Sequence, residues 1–294
     1  MSGQHVPSSP NSLPPVAVAF DALMSIAISF SLLALIPPLV TSRLTRMKTW
    51  FSLLCTNIIY CLVHLLLLGQ QTGPPPKTGL CLLQAGLMYA APPTLAAAAT
   101  IFVLELYLRL VAAVRGTQFK EGPIYVMIWG LPAVPTIIFW VDGLIGVFNL
   151  AAVKRRPNGL FCHIEMYPPT LITGATTTLL ILGMLWFEVL IIILLARQGC
   201  FEAGEMGNVK IGDGFPRSLF VRMIVISVTG LGAVIAIAVI NLENLQGDPS
   251  SATLISLAIM PLSVSGLLLT QKDILAFYCG LRTRRDPYDA SRLA

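Results

Sequence analysis

The stretch Leu80–Val114, LCLLQAGLMYAAPPTLAAAATIFVLELYLRLVAAV, decides the fold of this chain. Its charged side chains are Glu105 and Arg109, and nearly all the rest are apolar or small. A helix crosses the roughly 30 Å hydrocarbon core of a bilayer with about 20 apolar residues. We therefore expect a membrane-spanning helix here, with Cys81 at one end and Glu105 near the other.

The composition of the whole chain agrees with a membrane protein. Of its 294 residues, 55% are hydrophobic and 11% are charged, and the mean hydropathy is +0.79. Soluble proteins carry about 25% charged residues. A soluble enzyme and a secreted disulfide scaffold are therefore excluded. Nucleic acid is excluded as a partner because the basic residues stand between apolar runs instead of clustering on a soluble face.

Seven stretches are long and apolar enough to span a bilayer, with Pro- and Gly-rich loops between them. We predict an all-α fold, a bundle of seven transmembrane helices (16–270) between an extracellular tail (1–15) and a cytosolic segment (271–294). The predicted spans are Val16–Val40, Trp50–Leu68, Leu80–Val114, Pro123–Phe148, Pro169–Ala196, Leu219–Asn241 and Ser251–Thr270.

The distribution of basic residues predicts the orientation of the bundle. Only four of the 19 basic residues, Lys77, Lys154, Arg155 and Arg156, fall on one side of the predicted membrane, and the other fifteen fall on the opposite side. Short cytoplasmic loops are enriched in Lys and Arg. The N-terminus is therefore expected outside and the C-terminus in the cytosol.

On this topology, two of the six cysteines face the oxidising side, where disulfides persist. Cys81 lies at the outer end of the third span, and Cys162 lies in the outer loop between the fourth and fifth spans. A bridge between them would hold that loop over the mouth of the bundle. The alternative is two unrelated free thiols.

Ionisable groups within membrane spans are costly and are therefore candidate sites. Asp21, Asp142 and Glu188 are such groups. We expect Asp142 to reach the interface, and we expect Asp21 and Glu188 to be protonated and bonded to neighbouring helices or to have a functional role.

Pro92 and Pro93 lie about 17 Å from Cys81 along the third span, near mid-membrane. They remove backbone donors and free the carbonyls of Met88 and Tyr89, so they loosen the helix. A broken helix at this depth needs polar partners or a cavity. Either the prolines form a plain packing kink, or a ligand cavity lies here, lined by Asp21, Gln84, Tyr89, Pro92, Pro93 and Thr94.

Near the inner end of the third span, Glu105 and Arg109 are four residues apart and can form an ion pair. This pair either locks neighbouring helices together or is a solvated surface pair. After the seventh span, the spacing of Ile274, Phe277 and Tyr278 predicts a short amphipathic helix on the inner membrane surface. Cys279 lies within reach of acylation there.

The sequence lacks the residues that the enzymatic and cofactor chemistries of known membrane proteins require. The seventh span has no lysine for a retinal Schiff base, and His64 is the single histidine within a span, too few for a membrane zinc site. Inverted repeats and paired mid-depth charges, typical of transporters, are also missing. We expect no enzyme activity, no metal and no cofactor.

The seven spans, the two outer cysteines and the helix after the last span together resemble the G-protein-coupled receptor superfamily. Glu105-Leu106-Tyr107 stands at the position of the acid-Arg-Tyr triplet of rhodopsin-like receptors, with Leu106 in place of the arginine. Pro261 matches the proline of their seventh helix. Pro216-Arg217…Arg222 and Leu269–Leu275 look more like the seven-helix receptor-like proteins of basidiomycete fungi, some of which resemble pheromone receptors.

This resemblance implies a plasma-membrane sensor of a small or lipid-like ligand, coupled to a heterotrimeric G protein. Since Leu106 replaces the usual arginine, Glu105, Arg109 and Arg222 are the expected coupling residues. The alternative, favoured by Leu106, is a non-signalling membrane protein such as a transporter component or a scaffold.

Overall fold

The computed structural model describes residues 15–41, 44, 46–119, 122–130, 133–156, 159–197, 224–225, 228, 231–232 and 251–279. Of these residues, 81% are helical, which confirms the all-α class. A short antiparallel hairpin, β1 (Val153–Arg155) and β2 (Cys162–Ile164), interrupts the predicted outer loop and pairs Arg155 with Cys162. The helices are α1 (Pro15–Val40), α2 (Lys48–His64), α3 (Thr78–Val114), α4 (Gly122–Gly130), α5 (Ala133–Phe148), α6 (Tyr167–Arg197), α7 (Ser251–Leu269) and α8 (Lys272–Tyr278).

Within these residues, α1, α3 and α6 are each long and apolar enough to cross a membrane. A fourth span is counted if α7 and α8, which meet at a bend of 73°, are taken together. The helices α2 and α5 are shorter, at 17 and 16 residues. The described chain thus has three or four candidate spans, as a membrane protein requires, and the seven-helix count stays a prediction. Of the sixth predicted span, Leu219–Asn241, all but five helical residues lie outside the described part.

Two predicted spans differ from the observed helices. The second ends at His64 instead of Leu68, because the chain tightens into turns that lead to Gly69, whose φ is 83°. The fourth, Pro123–Phe148, corresponds to α4 and α5, and residues 131–132 between them lie outside the described part.

Helix α3 lies at the centre of the fold and contacts α2, α5, α6 and the hairpin. In the most apolar stretch of α3, 44% of the residues are buried, compared with 22% in that of α6. Leu179 and Trp186 of α6 are exposed. The run Ala96–Ala99 is buried. Small side chains let helix backbones approach closely where lipid supplies no hydrophobic driving force between helices. This run therefore fits the central position.

The prolines of α3 leave backbone carbonyls without their helical donors. Pro93 has no N–H for the carbonyl of Tyr89, four residues earlier. The hydroxyl of Thr173 on α6 donates to that carbonyl at 2.9 Å. The α3–α6 contact thus supplies the hydrogen bond that the proline removed, as lipid cannot.

The same compensation occurs in α1. Pro37 leaves the carbonyl of Leu33 without its helical donor, and the hydroxyl of Tyr278 on α8 donates to it at 2.7 Å. This bond attaches the end of α8 to the C-terminal part of α1. The position of α8 therefore depends on a proline in a helix more than 200 residues earlier.

Helix α7 is the third case. Pro261 leaves the carbonyl of Leu257 free, and the buried hydroxyl of Tyr60 on α2 donates to it at 3.4 Å. One turn away on α2, Asn57 donates to the carbonyl of Pro261 at 3.1 Å and to Ser31 on α1 at 3.0 Å. Side chains of α2 thus join a hydroxyl of α1 and two backbone carbonyls of α7.

Replacing Thr173 by Val should destabilise the protein, because it keeps the shape of the side chain and leaves the Tyr89 carbonyl without a donor. An unsatisfied buried carbonyl costs about 1–3 kcal/mol. The matched control is Thr178→Val, since the Thr178 hydroxyl bonds only within α6, to Gly174. Thermal unfolding of the purified protein measures both. If the two variants lowered the melting temperature equally, the Thr173 hydroxyl would not be replacing the missing helical donor of Tyr89.

Candidate functional site

The predicted disulfide between Cys81 and Cys162 is present, with its Cα atoms 5.2 Å apart. It joins the start of α3 to β2, and both cysteines are buried with Ala85 and Ile164 in a small apolar cluster. We call this part of the bundle the disulfide end and the opposite part, around Glu105, the Glu105 end. The reading of two free thiols is thereby excluded.

The hairpin is also fastened to the loop between α2 and α3. The guanidinium of Arg155 donates to the carbonyls of Gly73 at 2.7 Å, Gln70 at 2.9 Å and Pro74 at 3.3 Å. At Gly159, whose φ is 76°, a Cβ would lie 2.2 Å from the carbonyl oxygen of Gln71, so only glycine fits this crossing. The two segments form one cover.

The cover reaches into the bundle. Leu160 and Phe161, in the turn of the hairpin, are buried and belong to the main hydrophobic core. On the outer surface of the hairpin, Lys154 and Glu165 form an exposed ion pair at 2.5 Å, and the hydrogen bond from Lys154 lowers the pKa of the Glu165 carboxyl. The disulfide end is therefore closed by protein in this conformation.

Two of the predicted ligand-cavity residues contact the cover directly. The carbonyl oxygen of the buried Gln84 side chain accepts a bond from the Cys162 N–H at 2.9 Å. The Tyr89 hydroxyl lies 3.3 Å from the Ile164 nitrogen and 3.4 Å from its oxygen, so it bridges both. The cover and the middle of α3 are thus joined by polar contacts as well as by the disulfide.

The remaining predicted cavity residues are arranged differently. Asp21 accepts a hydrogen bond from Gln71 at 2.8 Å, and the Thr94 hydroxyl bonds back to Ala90 of its own helix at 2.6 Å. Pro93 is buried and Pro92 is partly buried. Asp21 therefore contacts the cover from α1, whereas Thr94 contributes to α3 alone. The ligand-binding role of the set stays a prediction.

Asp142 is buried within the protein, whereas the sequence predicted that it would reach the membrane interface. Its side chain is fully buried, and within the described part of the chain neither carboxylate oxygen has a hydrogen-bond partner. It lies one turn from Ile138 and one turn from Gly146, whose Cα packs against Leu82 of α3. This i±4 spacing of a large apolar residue and a glycine is the sequence signal that would have placed Asp142 on the buried face. Glu188 on α6 is buried as well.

At the Glu105 end, the predicted ion pair exists and is not a solvated one. The Glu105 carboxylate is 2% exposed and accepts bonds from Arg109 Nε at 2.8 Å and Nη2 at 2.6 Å. It also accepts the hydroxyl of Thr49, on α2, at 2.5 Å. Sequence analysis missed Thr49. The Glu105 carboxylate thus joins α2 to α3.

Aromatic rings contact the neighbouring cations. The Lys48 ammonium lies 3.8 Å from the centre of the Tyr125 ring on α4, and the Arg109 guanidinium lies 4.5 Å from that of Phe119. A cavity of about 70 Å³ remains between these groups. It is lined by Arg46, Met47, Lys48, Glu105, Arg109, Ile124, Tyr125 and Ile128.

The predicted helix after α7 is present as α8. Asp273 pairs with Arg46, from the segment before α2, and Ile274 is buried, while Phe277 and Tyr278 are exposed. Cys279 is an exposed free thiol, so its acylation stays a prediction. Arg222, the third predicted coupling residue, lies outside the described residues.

Replacing Cys81 or Cys162 by Ser should lower the free energy of unfolding by about 2–4 kcal/mol, because the unfolded chain loses a covalent constraint. Replacing both should cost little more than replacing one. Thermal unfolding in detergent measures this, with Cys279→Ser as the control for losing an exposed thiol. If the two single losses added in the double variant, the bridge would not be their common cause.

Replacing Arg109 by Gln should destabilise the protein, because it removes the cation that is bonded to the buried Glu105 carboxylate; since Arg109 is 38% exposed, we expect less than the cost of about 3–5 kcal/mol for breaking a fully buried pair. A second substitution, Glu105→Gln, should recover part of the loss by removing that charge. The control is Lys154→Gln in the exposed pair, where we expect a negligible shift in melting temperature. No recovery in the double variant would show that Arg109 acts through packing alone.

Comparison with known proteins does not assign the chain to a family. No protein-family model matches the chain, and no curated protein matches it. Its function must be inferred from the contacts described above.

Proposed function

We propose that this chain is a seven-helix receptor of the plasma membrane, similar to the fungal G-protein-coupled-receptor-like proteins. Its disulfide end faces outward and senses a small or lipid-like ligand. Its Glu105 end faces the cytosol and signals to a heterotrimeric G protein. The single observation that carries the proposal is that α3 is attached at both ends and contains two prolines between them, beside a carbonyl whose donor comes from Thr173.

The outer attachment of α3 supports the sensing step. The cover is bonded to α3 through Cys81, Gln84 and Tyr89. A ligand that displaces part of the cover therefore acts on α3 near Pro92 and Pro93, where a backbone hydrogen bond already depends on Thr173. Such a ligand shifts the receptor between states only if it binds them with different affinity.

The inner attachment supports the coupling step. Thr49 of α2 and Arg109 of α3 both bond to Glu105, so a rotation of α3 would break the Thr49 bond between the helices, while the Glu105–Arg109 pair would move with α3. This rotation would change the position of Arg109, which lines the same cavity as Lys48 and Arg46, and would present it to a cytosolic partner. In this proposal Arg109 and Arg222 take the part of the arginine that Leu106 replaces.

A scaffold or transporter component is the second candidate, and Leu106 favours it. This side chain is 4% exposed and belongs to the hydrophobic core. It therefore faces the interior of the bundle and cannot contact a cytosolic partner. If the inner contacts only stabilise the bundle, the chain needs no G protein.

Replacing Glu105 by Gln should raise basal signalling, since it removes the charge that holds Arg109. A loss of about 1.4 kcal/mol of preference for the resting state would raise a small active fraction about tenfold. Coexpression with a panel of Gα subunits, followed by nucleotide exchange in membranes, measures this. Glu165→Gln, the same change at the exposed hairpin pair, is the control.

The receptor proposal has a clear contrary outcome. If no Gα subunit copurifies under any condition, and substitutions at Glu105, Arg109 and Arg222 leave nucleotide exchange and every downstream output unchanged, the second candidate is correct instead. Tags at the two termini, probed in intact and permeabilised cells, test the orientation separately.

A further inference from the structure

Arg46 lies between two carboxylates that come from distant parts of the chain. It forms an ion pair with Asp273 on α8. It also lines the cavity at the Glu105 end, and Glu105 of α3 lines the same cavity. Because the volume of this cavity is only about 70 Å³, a short movement would bring the Arg46 side chain to the second carboxylate. One cation therefore has two alternative partners.

The surroundings of Arg46 leave its side chain able to move. Arg46 precedes α2, which begins at Lys48. Its guanidinium lies 5.7 Å from the centre of the Trp50 ring, and its buried Nε has no hydrogen-bond partner within the described part of the chain. A guanidinium has five N–H donors, so a second acid can bond to those that Asp273 does not use. The cavity beside it supplies the room that a close-packed interior lacks.

The second carboxylate has an oxygen that depends on α2. Arg109 donates to Oε1 of Glu105, whereas the Thr49 hydroxyl donates to Oε2. If the Thr49 bond breaks, Oε2 becomes a buried acceptor without this donor, which is unfavourable. A cation that moves to Oε2 removes that cost. Loss of the Thr49 bond therefore favours movement of Arg46 across the cavity.

Helix α8 depends on the partner that Arg46 would leave. It has seven residues, too few for an isolated helix to be stable in water, so its contacts with the bundle hold it. These contacts are the Asp273–Arg46 pair, the bond from Tyr278 to the Leu33 carbonyl and the buried side chain of Ile274. Asp273 is 40% exposed, so water can replace Arg46 as its partner. Departure of Arg46 would thus weaken the attachment of α8.

We propose that Arg46 is the moving part of a switch, which exchanges its ion pair with Asp273 for one with Glu105 and thereby releases α8. While the Thr49–Glu105 bond is intact, Arg46 stays with Asp273 and α8 is docked. When α3 rotates and this bond breaks, Arg46 moves to Glu105. The exchange needs no G protein, so it goes beyond the proposed function and would operate in a scaffold or a transporter component as well.

A nitroxide spin label on Cys279, the residue after α8, reports whether α8 is docked. Cys279 is an exposed thiol, and Ser replaces Cys55 and Cys200 so that they are not labelled. The electron paramagnetic resonance spectrum of the full-length protein in lipid nanodiscs, without any Gα subunit, gives the ratio of mobile to immobile label. A failure here would therefore leave the receptor proposal standing.

Replacing Thr49 by Val should raise this ratio about tenfold, since a hydrogen bond to a charged group contributes at least that factor. Thr49→Ala should give the same result with a smaller side chain, and Thr49→Ser, which keeps the hydroxyl, should leave α8 docked. The matched control is Thr56→Val, because the Thr56 hydroxyl bonds within α2, to Ser52 and Leu53. Melting temperatures show which variants are folded. Equal ratios in Thr49→Val and Thr56→Val would overturn the proposal as a whole.

Adding Glu105→Gln to Thr49→Val distinguishes the exchange from a general loosening. Without the second carboxylate, Arg46 has only Asp273 as a partner, so the ratio should return toward that of the unaltered protein. Tyr278→Phe removes a different attachment of α8, and its raised ratio should persist when Glu105→Gln is added. If the Thr49→Val/Glu105→Gln variant were as mobile as Thr49→Val alone, Glu105 would not be the new partner of Arg46 and the exchange would be wrong.

Discussion

The fold depends on one constraint: a backbone carbonyl inside a bilayer must find a donor within the protein, because lipid offers none. One proline in each of α1, α3 and α7 removes such a donor, and a hydroxyl from another helix replaces it. The donors Tyr278, Thr173 and Tyr60 therefore fix which helices are neighbours. The prolines specify contacts between distant segments by creating acceptors that only a particular partner reaches.

Buried charges also need partners within the protein, and leaving one unpaired costs more free energy than leaving a carbonyl unpaired. At one end of α3, Glu105 has an arginine and a hydroxyl as partners, so its charge is compensated and joins two helices. Asp142, on the face of α5 that packs against α3, is equally buried and has no hydrogen-bond partner among the described residues. Burying a carboxyl without a hydrogen-bond partner costs free energy in such surroundings. The two acids thus differ in what their removal does: Glu105 supports a network, whereas Asp142 is a local cost to the fold.

The sequence was sufficient for features that depend on spacing along one helix, such as the boundaries of α1 and α3 and the Glu105–Arg109 pair. The disulfide also followed from the sequence, since topology left Cys81 and Cys162 as the outer pair. The sequence was insufficient where the partner of a residue comes from elsewhere in the chain. Nothing near Glu105 indicates Thr49, which lies 56 residues earlier, and nothing near Pro93 indicates Thr173. The hairpin was predicted as a loop because its strands, three residues each, are too short to show an alternating pattern.

The distance along the chain between Cys81 and Cys162 also determines when the protein can close during synthesis. The two residues are 81 positions apart. At about 5–20 residues per second, Cys162 follows Cys81 by about 4–16 s. During that interval the first thiol is already translated and must stay reduced while α4 and α5 are made. The cover can be locked only after α4 and α5 have been made, whereas α6, which also packs on α3, follows Cys162 in the chain.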